Sequence, residues 1–206
     1  MQLPKKTNRV SLKGEINDQF VLGCDLLLDI KSKRKPWKKI FELWYGAAIK
    51  GHVNAQCFLG TCFYDGTGVK KDRPQALKWY LKASQKGNRS AQYNAAQCYR
   101  YGEGVTKNLK RAVYWYLKSA KQGDIMAQIN LGYCYANGEG VRQNYKLAIY
   151  WYKKASAKND PMALCNLGLF YEQGKGVNPS NRWAKYYFLR ALKQGFQKAQ
   201  LHLNHL

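Results

Sequence analysis

His202 and His205 stand three residues apart, a spacing that sets two imidazoles on one side of a helix as two potential metal ligands. No third ligand accompanies them, so neither a metal nor another cofactor is expected. Cys62, Cys98 and Cys134 recur every 36 residues, and Cys57 and Cys165 share a second column. A thiol nucleophile needs a neighbouring base to take its proton, and no candidate base matches these positions. Copies of one position on packed helices lie about 8–10 Å apart, beyond the reach of a disulfide. With Cys24, all six cysteines therefore read as thiols in a reducing compartment, filling small spaces in a core. Four glycine pairs, 66/68, 102/104, 138/140 and 174/176, invite a phosphate cradle. No strand precedes any of them, so the nucleotide-binding context is missing. Asp65, Asp72, Asp124 and Asp160 fall in loops or helix caps. No catalytic residue emerges, and the chain is not expected to be an enzyme.

The elements that carry these residues repeat. The phrase LGYCYANGEGV (131–141) has relatives at 59–69, 95–105 and 167–177. Self-similarity of this period signals stacked supersecondary units. Ala55, Ala91, Ala127, Ala163 and Ala199 form one column, and Ala76, Ala112, Ala148 and Ala184 another. Trp79, Trp115, Trp151 and Tyr187 form a third, beside Tyr80, Tyr116, Tyr152 and Phe188. The spacings Ala55/Leu59/Phe63 and Ala76/Trp79/Tyr80/Ala83 are helical stripes, so each unit predicts two helices. Asp72, Asn108, Asn144 and Ser180 precede the second helix as N-caps; Asn88, Asp124 and Asp160 precede the first, with Pro161 at N1. Gly87, Gly123, Asn159 and Gly195 follow the second helix, where a left-handed residue ends it. The glycine pairs become tight interhelical loops, each followed by a valine (69, 105, 141, 177) that returns to the core.

This pattern, Ala-x3-Leu-Gly-x2-Tyr-x2-Gly-x-Gly-Val and then Ala-x2-Trp-Tyr-x-Lys-Ala, resembles the Sel1-like repeat, a branch of the tetratricopeptide-like solenoids. The resemblance implies an all-α, right-handed α/α solenoid with a period of 36. Four units are expected over 55–198 (55–90, 91–126, 127–162 and 163–198). A degenerate unit is expected over 19–54, a basic polar tail over 1–18 and a truncated capping helix over 199–206. Some secreted relatives bridge the helices of a unit with paired cysteines; here no second helix carries a cysteine.

The resemblance also implies a scaffold or adaptor that binds a peptide or protein in a concave groove lined by first helices. Phe58, Asn94, Asn130, Asn166 and His202 fall on the column that would face inward. The carboxamides of Asn94, Asn130 and Asn166 suit an extended peptide backbone, and they equally suit bridging of neighbouring repeats. Arg100, Gln97 and Tyr133 sit in columns that vary between units, as specificity requires and as neutral drift also produces. On the second helices, Lys82, Lys118, Lys154 and Arg190 share a column. Tyr114, Tyr150 and Tyr186 precede the last three by four residues, and Lys110, Lys146 and Arg182 precede those by four more. These basic–tyrosine–basic stripes face solvent on a helical wheel. They suit a nucleic acid or other polyanion through phosphate pairing and stacking, or form a solvated face.

Charge supports an anionic partner without naming one. Thirty-five Lys and Arg oppose twelve Asp and Glu, a formal +23 with pI near 9.8, which favours solubility and attraction to anions. No run approaches the ~20 apolar residues of a membrane span, so no membrane insertion is expected. Val21–Cys24 only superficially resembles a lipoprotein box, because Glu15, Asn17 and Asp18 occupy its apolar segment. A cytoplasmic monomer is expected; the basic run Lys31–Lys39 offers a nuclear alternative.

Overall fold

The structure, a computed structural model, describes residues 7–29 and 35–206. Among these residues are eleven helices and no strand. They are α1 (Thr7–Leu28), α2 (Trp37–Ile49), α3 (Val53–Asp65), α4 (Arg73–Gln85), α5 (Arg89–Tyr101) and α6 (Leu109–Lys121). Then follow α7 (Ile125–Asn137), α8 (Tyr145–Ser156), α9 (Pro161–Gln173), α10 (Asn181–Lys193) and α11 (Lys198–Leu203). The chain divides into two compact units, residues 1–106 with α1–α5 and residues 107–206 with α6–α11. Within each, consecutive helices pack against one another, as α3 does on α4 and α9 on α10.

Local chemistry sets every helix boundary in the repeated region. Asp72, Asn108, Asn144 and Ser180 each accept a hydrogen bond from the backbone N–H three residues on, at 2.9, 2.9, 3.0 and 3.3 Å. Asn88, Asp124 and Asp160 do the same for the first helices, and His52 Nδ1 takes that role for α3, accepting from Ala55 at 3.1 Å. Gly66, Gly102, Gly138 and Gly174 close the first helices in the left-handed region. Asn159, at φ 57°, is the single non-glycine residue with positive φ among the described residues. Asparagine tolerates that region better than other side chains.

Packing explains the Leu-Gly dipeptide. A Cβ at Gly60, Gly132 or Gly168 would lie 2.6, 2.7 and 2.4 Å from the rings of Tyr80, Tyr152 and Phe188. Glycine on the first helix is what lets the aromatic ring of the second lie flat on its backbone. The tryptophan column is buried as well, but the Tyr/Phe column is the one seated on glycine. A second tie was not anticipated. The buried carboxamides of Gln56, Gln92 and Gln128 donate to the carbonyls of Ala48, Ser84 and Ala120 at 3.0–3.1 Å, joining each first helix to the end of the preceding second helix.

The N-terminal region differs from the expected polar tail. Helix α1 starts at Thr7, twelve residues before the expected unit, and Ile16 and Phe20 pack against the core around Ala47, Leu59 and Trp79. Residues 1–6 lie outside the described residues, as do residues 31–34 of the basic run; Trp37, Lys38 and Lys39 open α2. The α1/α2 pair repeats the ring-on-glycine contact, since a Cβ at Gly23 would meet Trp44 Nε1 at 2.4 Å. At the other end, α11 is short, buries Ala199 and stacks His202 on Phe188 at 5.0 Å between ring centroids.

Candidate functional site

In unit 1, α3 and α5 flank a cavity of about 290 Å³ lined by Thr61, Tyr64, Asp65, Tyr80, Tyr93, Asn94 and Gln97. Two residues expected from the sequence, Asn94 and Gln97, therefore share one concavity. Gln97 Nε2 donates to the Tyr93 hydroxyl oxygen at 2.9 Å, and the Tyr80 hydroxyl donates to Thr61 Oγ1 at 3.2 Å. The Tyr64 hydroxyl donates to the Glu103 carboxylate, which also pairs with Arg73 at 3.1 Å. Arg73 stands over the Tyr64 ring at 5.3 Å from its centroid. Partial burial, then the neighbouring Glu103 carboxylate, push the Tyr64 phenol up to about 12. Burial raises Tyr80 further. Tyr64 and Tyr80 are thus neutral at physiological pH, and the cavity offers hydroxyls and carboxamides beside the Asp65 carboxylate.

The remaining candidates of the first-helix face are placed as follows. Arg100 is half-buried on α5, its guanidinium 5.5 Å from the Tyr101 ring centroid, and does not line the cavity. In unit 2, Asn130 on α7 donates to the Met126 carbonyl of its own helix at 3.0 Å, a local contact of the structural kind. Asn166 on α9 is half-buried, and Tyr133 on α7 is exposed. Sequence reasoning missed Thr61, Tyr64 and Tyr93. The signal existed for two of them: Thr61 and Tyr64 are the first-repeat members of the variable columns that hold Gln97 and Arg100.

The second-helix stripes sit mainly in unit 2. Lys110, Tyr114, Lys118, Lys146, Tyr150, Lys154, Arg182 and Tyr186 are exposed, while Arg190 is half-buried. Helical spacing brings each terminal cation over its tyrosine: Lys118 over Tyr114 at 4.9 Å, Lys154 over Tyr150 at 5.6 Å and Arg190 over Tyr186 at 5.5 Å from the ring centroids. Arg190 also donates to Asn159 Oδ1 at 2.7 Å. In unit 1 no tyrosine precedes Lys82, whose ammonium lies 4.1 Å from the Trp79 centroid instead.

No cysteine is in a disulfide, and burial governs the thiols of Cys24, Cys57, Cys62, Cys98 and Cys165. It pushes Cys57 and Cys62 up to about 11 and Cys98 up to about 12, with Asp65 adding at Cys62 and Glu103 at Cys98. A folded pKa above the ordinary 9.0 means that folding favours the neutral thiol. That stability is fully present below about pH 9 and is lost as pH rises through 11 to 12. Urea midpoints should hold steady from about pH 7 to 8.5 and fall above about pH 9. A midpoint rising above pH 9 would contradict the assignment. Among the described residues, no cluster of three or more His, Cys, Asp or Glu could hold a metal ion. His205 lies beyond the end of α11.

Four consecutive copies of the Sel1 repeat match this chain, at residues 53–88, 89–124, 125–160 and 161–196. The chain belongs to the Sel1 repeat family. The frames open two residues before the alanine column, on the first residue of each first helix. A Sel1 repeat protein from Oxalobacter formigenes is 34% identical over 90% of this chain and 72% of its own, with a TM-score of 0.83. A protective antigen of uropathogenic Escherichia coli strains is 30% identical over 96% of this chain, with a TM-score of 0.89. The chain spans 42% of that antigen's length. No curated protein matches the chain. Sel1-repeat proteins are in general protein-interaction scaffolds and typically not catalysts. No described helix is long and apolar enough to cross a membrane.

Proposed function

We propose that this Sel1-repeat chain is a non-catalytic scaffold that binds a peptide segment or partner protein along its first-helix face. The observation that supports the reading is the unit 1 cavity, where Asn94, Gln97 and Tyr93 sit beside Thr61 and Tyr64. Hydroxyls, carboxamides and the Asp65 carboxylate in a concave polar site match the repeating N–H and C=O of a peptide. Six cysteines outside any disulfide suit a reducing compartment such as the cytoplasm. The test starts with affinity purification from native lysate, with and without nuclease, followed by titration of the captured protein. Replacing Asn94, Asn130 and Asn166 together by alanine should weaken binding at least tenfold. Unchanged affinity with lowered stability alone would refute the groove.

A second reading is supported by the unit 2 stripes, in which three cations overlie exposed tyrosines. As a polyanion surface it requires affinity for single-stranded RNA to drop steeply between about 50 and 200 mM salt. A folded Lys118→Glu/Lys154→Glu variant should then lose the RNA. Salt-insensitive binding removes this reading.

A further inference from the structure

In unit 2, α9 and α10 gather four aromatic rings. Tyr171 on α9 stacks on Tyr187 of α10, at 5.6 Å between centroids and 17° between planes. Trp183 lies 6.0 Å from Tyr171 and 6.2 Å from Tyr187, tilted by 31° and 34°, so three rings stand close to parallel. Tyr186 meets Trp183 and Tyr187 edge-on at 5.5 and 5.2 Å. Each ring therefore holds its neighbours in place. Trp183 nevertheless remains 48% exposed and Tyr186 45%. A large indole exposed within a rigid cluster marks a contact surface rather than a core. This exposure does not come from the place of α10 in the array. Leu147 and Tyr150 hold the same two columns one repeat earlier, have α9 and α10 after them, and are still 38% and 48% exposed. Leu147 and Tyr135 there line an open cavity of about 440 Å³. The column of Trp183 otherwise reads Gln75, Arg111 and Leu147, so the indole belongs to the fourth repeat alone.

Charge narrows the occupant. Helix α10 carries Arg182, Lys185, Arg190 and Lys193 and no acid. Helical spacing sets Tyr186 beside both Arg182 and Trp183, four and three residues back, with Lys193 two turns on along the same side. Arg182 and Lys193 are exposed and make no hydrogen bond or ion pair. Arg190 is already tied, since it donates to Asn159 Oδ1 at 2.7 Å and to the Tyr186 hydroxyl at 3.3 Å, which steadies that ring. The single acid of α9, Glu172, lies toward Cys165, whose thiol it helps to raise. A flat aromatic face beside unpaired cations suits a ligand that is both planar and anionic, and a nucleotide unit is both. We propose that Trp183 is a base-stacking site for single-stranded nucleic acid. One base lies on the exposed face of the indole, its phosphate meets Arg182, and the strand passes Tyr186 toward Lys193. Rings already held by their neighbours lose little freedom on binding, which favours the stack. The proposal rests on the polyanion reading of the second-helix stripes and adds to it recognition of the base.

The test uses the full chain with oligoadenylate and with an abasic strand of the same length, at about 50 mM salt. The indole ¹⁵N–¹H resonance of Trp183, assigned by its loss in Trp183→Leu, should move saturably with oligoadenylate. The abasic strand should bind at least about fivefold more weakly, the lower end of what one base gains on an aromatic ring. Trp183→Leu, which places the third repeat's own residue in the fourth, should bring oligoadenylate down to the abasic affinity. Its salt dependence should match that of the unaltered chain, because every phosphate contact remains. Equal affinity of the unaltered chain for the two strands overturns the stacking site and leaves the polyanion surface standing. Binding of neither strand removes both. A Trp183→Leu chain that stays folded by circular dichroism and holds oligoadenylate undiminished also overturns the proposal. So does a neutral oligosaccharide that moves the indole resonance where oligoadenylate does not.

Discussion

Replacing Gly140 by alanine is expected to destabilise the fold by ~3–5 kcal/mol, several times the cost of the same change at Gly123. Both glycines have positive φ, 73° and 84°. Alanine in that region costs about 1–2 kcal/mol by itself, and Gly123 has nothing else within 4 Å of the added Cβ. At Gly140 the Cβ would lie 2.4 Å from the Leu109 carbonyl oxygen, at the first residue of α6. Backbone cannot swing aside as a flexible side chain can, so either the loop or the helix start must shift. Gly68 and Gly104 meet the backbone of Trp37 and Arg73 in the same way, Gly176 meets Tyr145 Cβ at 2.6 Å, and each of those residues opens the preceding second helix. Urea titrations of the two variants provide the measurement. Equal midpoints would show that φ alone governs the loop.

Phe188→Ala should cost ~3–5 kcal/mol. The ring is fully buried, lies on Gly168 and stacks on His202, so its removal leaves a cavity that rigid helix backbone cannot close. The column reads Tyr, Tyr, Tyr, Phe, and the last member has a local reason. The Tyr80 hydroxyl donates to Thr61, but the residue at the corresponding place beside Phe188 is Leu169, which has no acceptor side chain. Phe188→Tyr should therefore destabilise by about 1–3 kcal/mol, the cost of a buried hydroxyl without a partner. Thermal melts of the two variants check both values. A neutral Phe188→Tyr would mean that the hydroxyl reaches solvent or another acceptor.

Much of the repeat was legible because its signals are local. A cap at Asn144, a left-handed residue at Gly123 or Asn159 and an alanine stripe from Ala148 need only a few neighbouring residues to be read. The ring-on-glycine contact was half legible: both columns were visible, but which aromatic sits on which backbone depends on the angle between helices. The part of α1 before residue 19 was read as a tail because that stretch is mostly polar and Ile16 matters only once α2 and α3 are in place. The cavity of unit 1 was legible through Asn94 and Gln97. Tyr93 was not, because its column otherwise holds Cys57, Ile129 and Cys165 and reads as core.

The contact between each loop's second glycine and the start of the preceding second helix gives assembly a direction. A ribosome delivers the chain from its N-terminal end, so every emerging loop finds its seat already synthesised, whereas the reverse order would leave it waiting for its support. Growth by copying a whole module at the C-terminal side keeps that arrangement intact, and a cut that is out of phase does not.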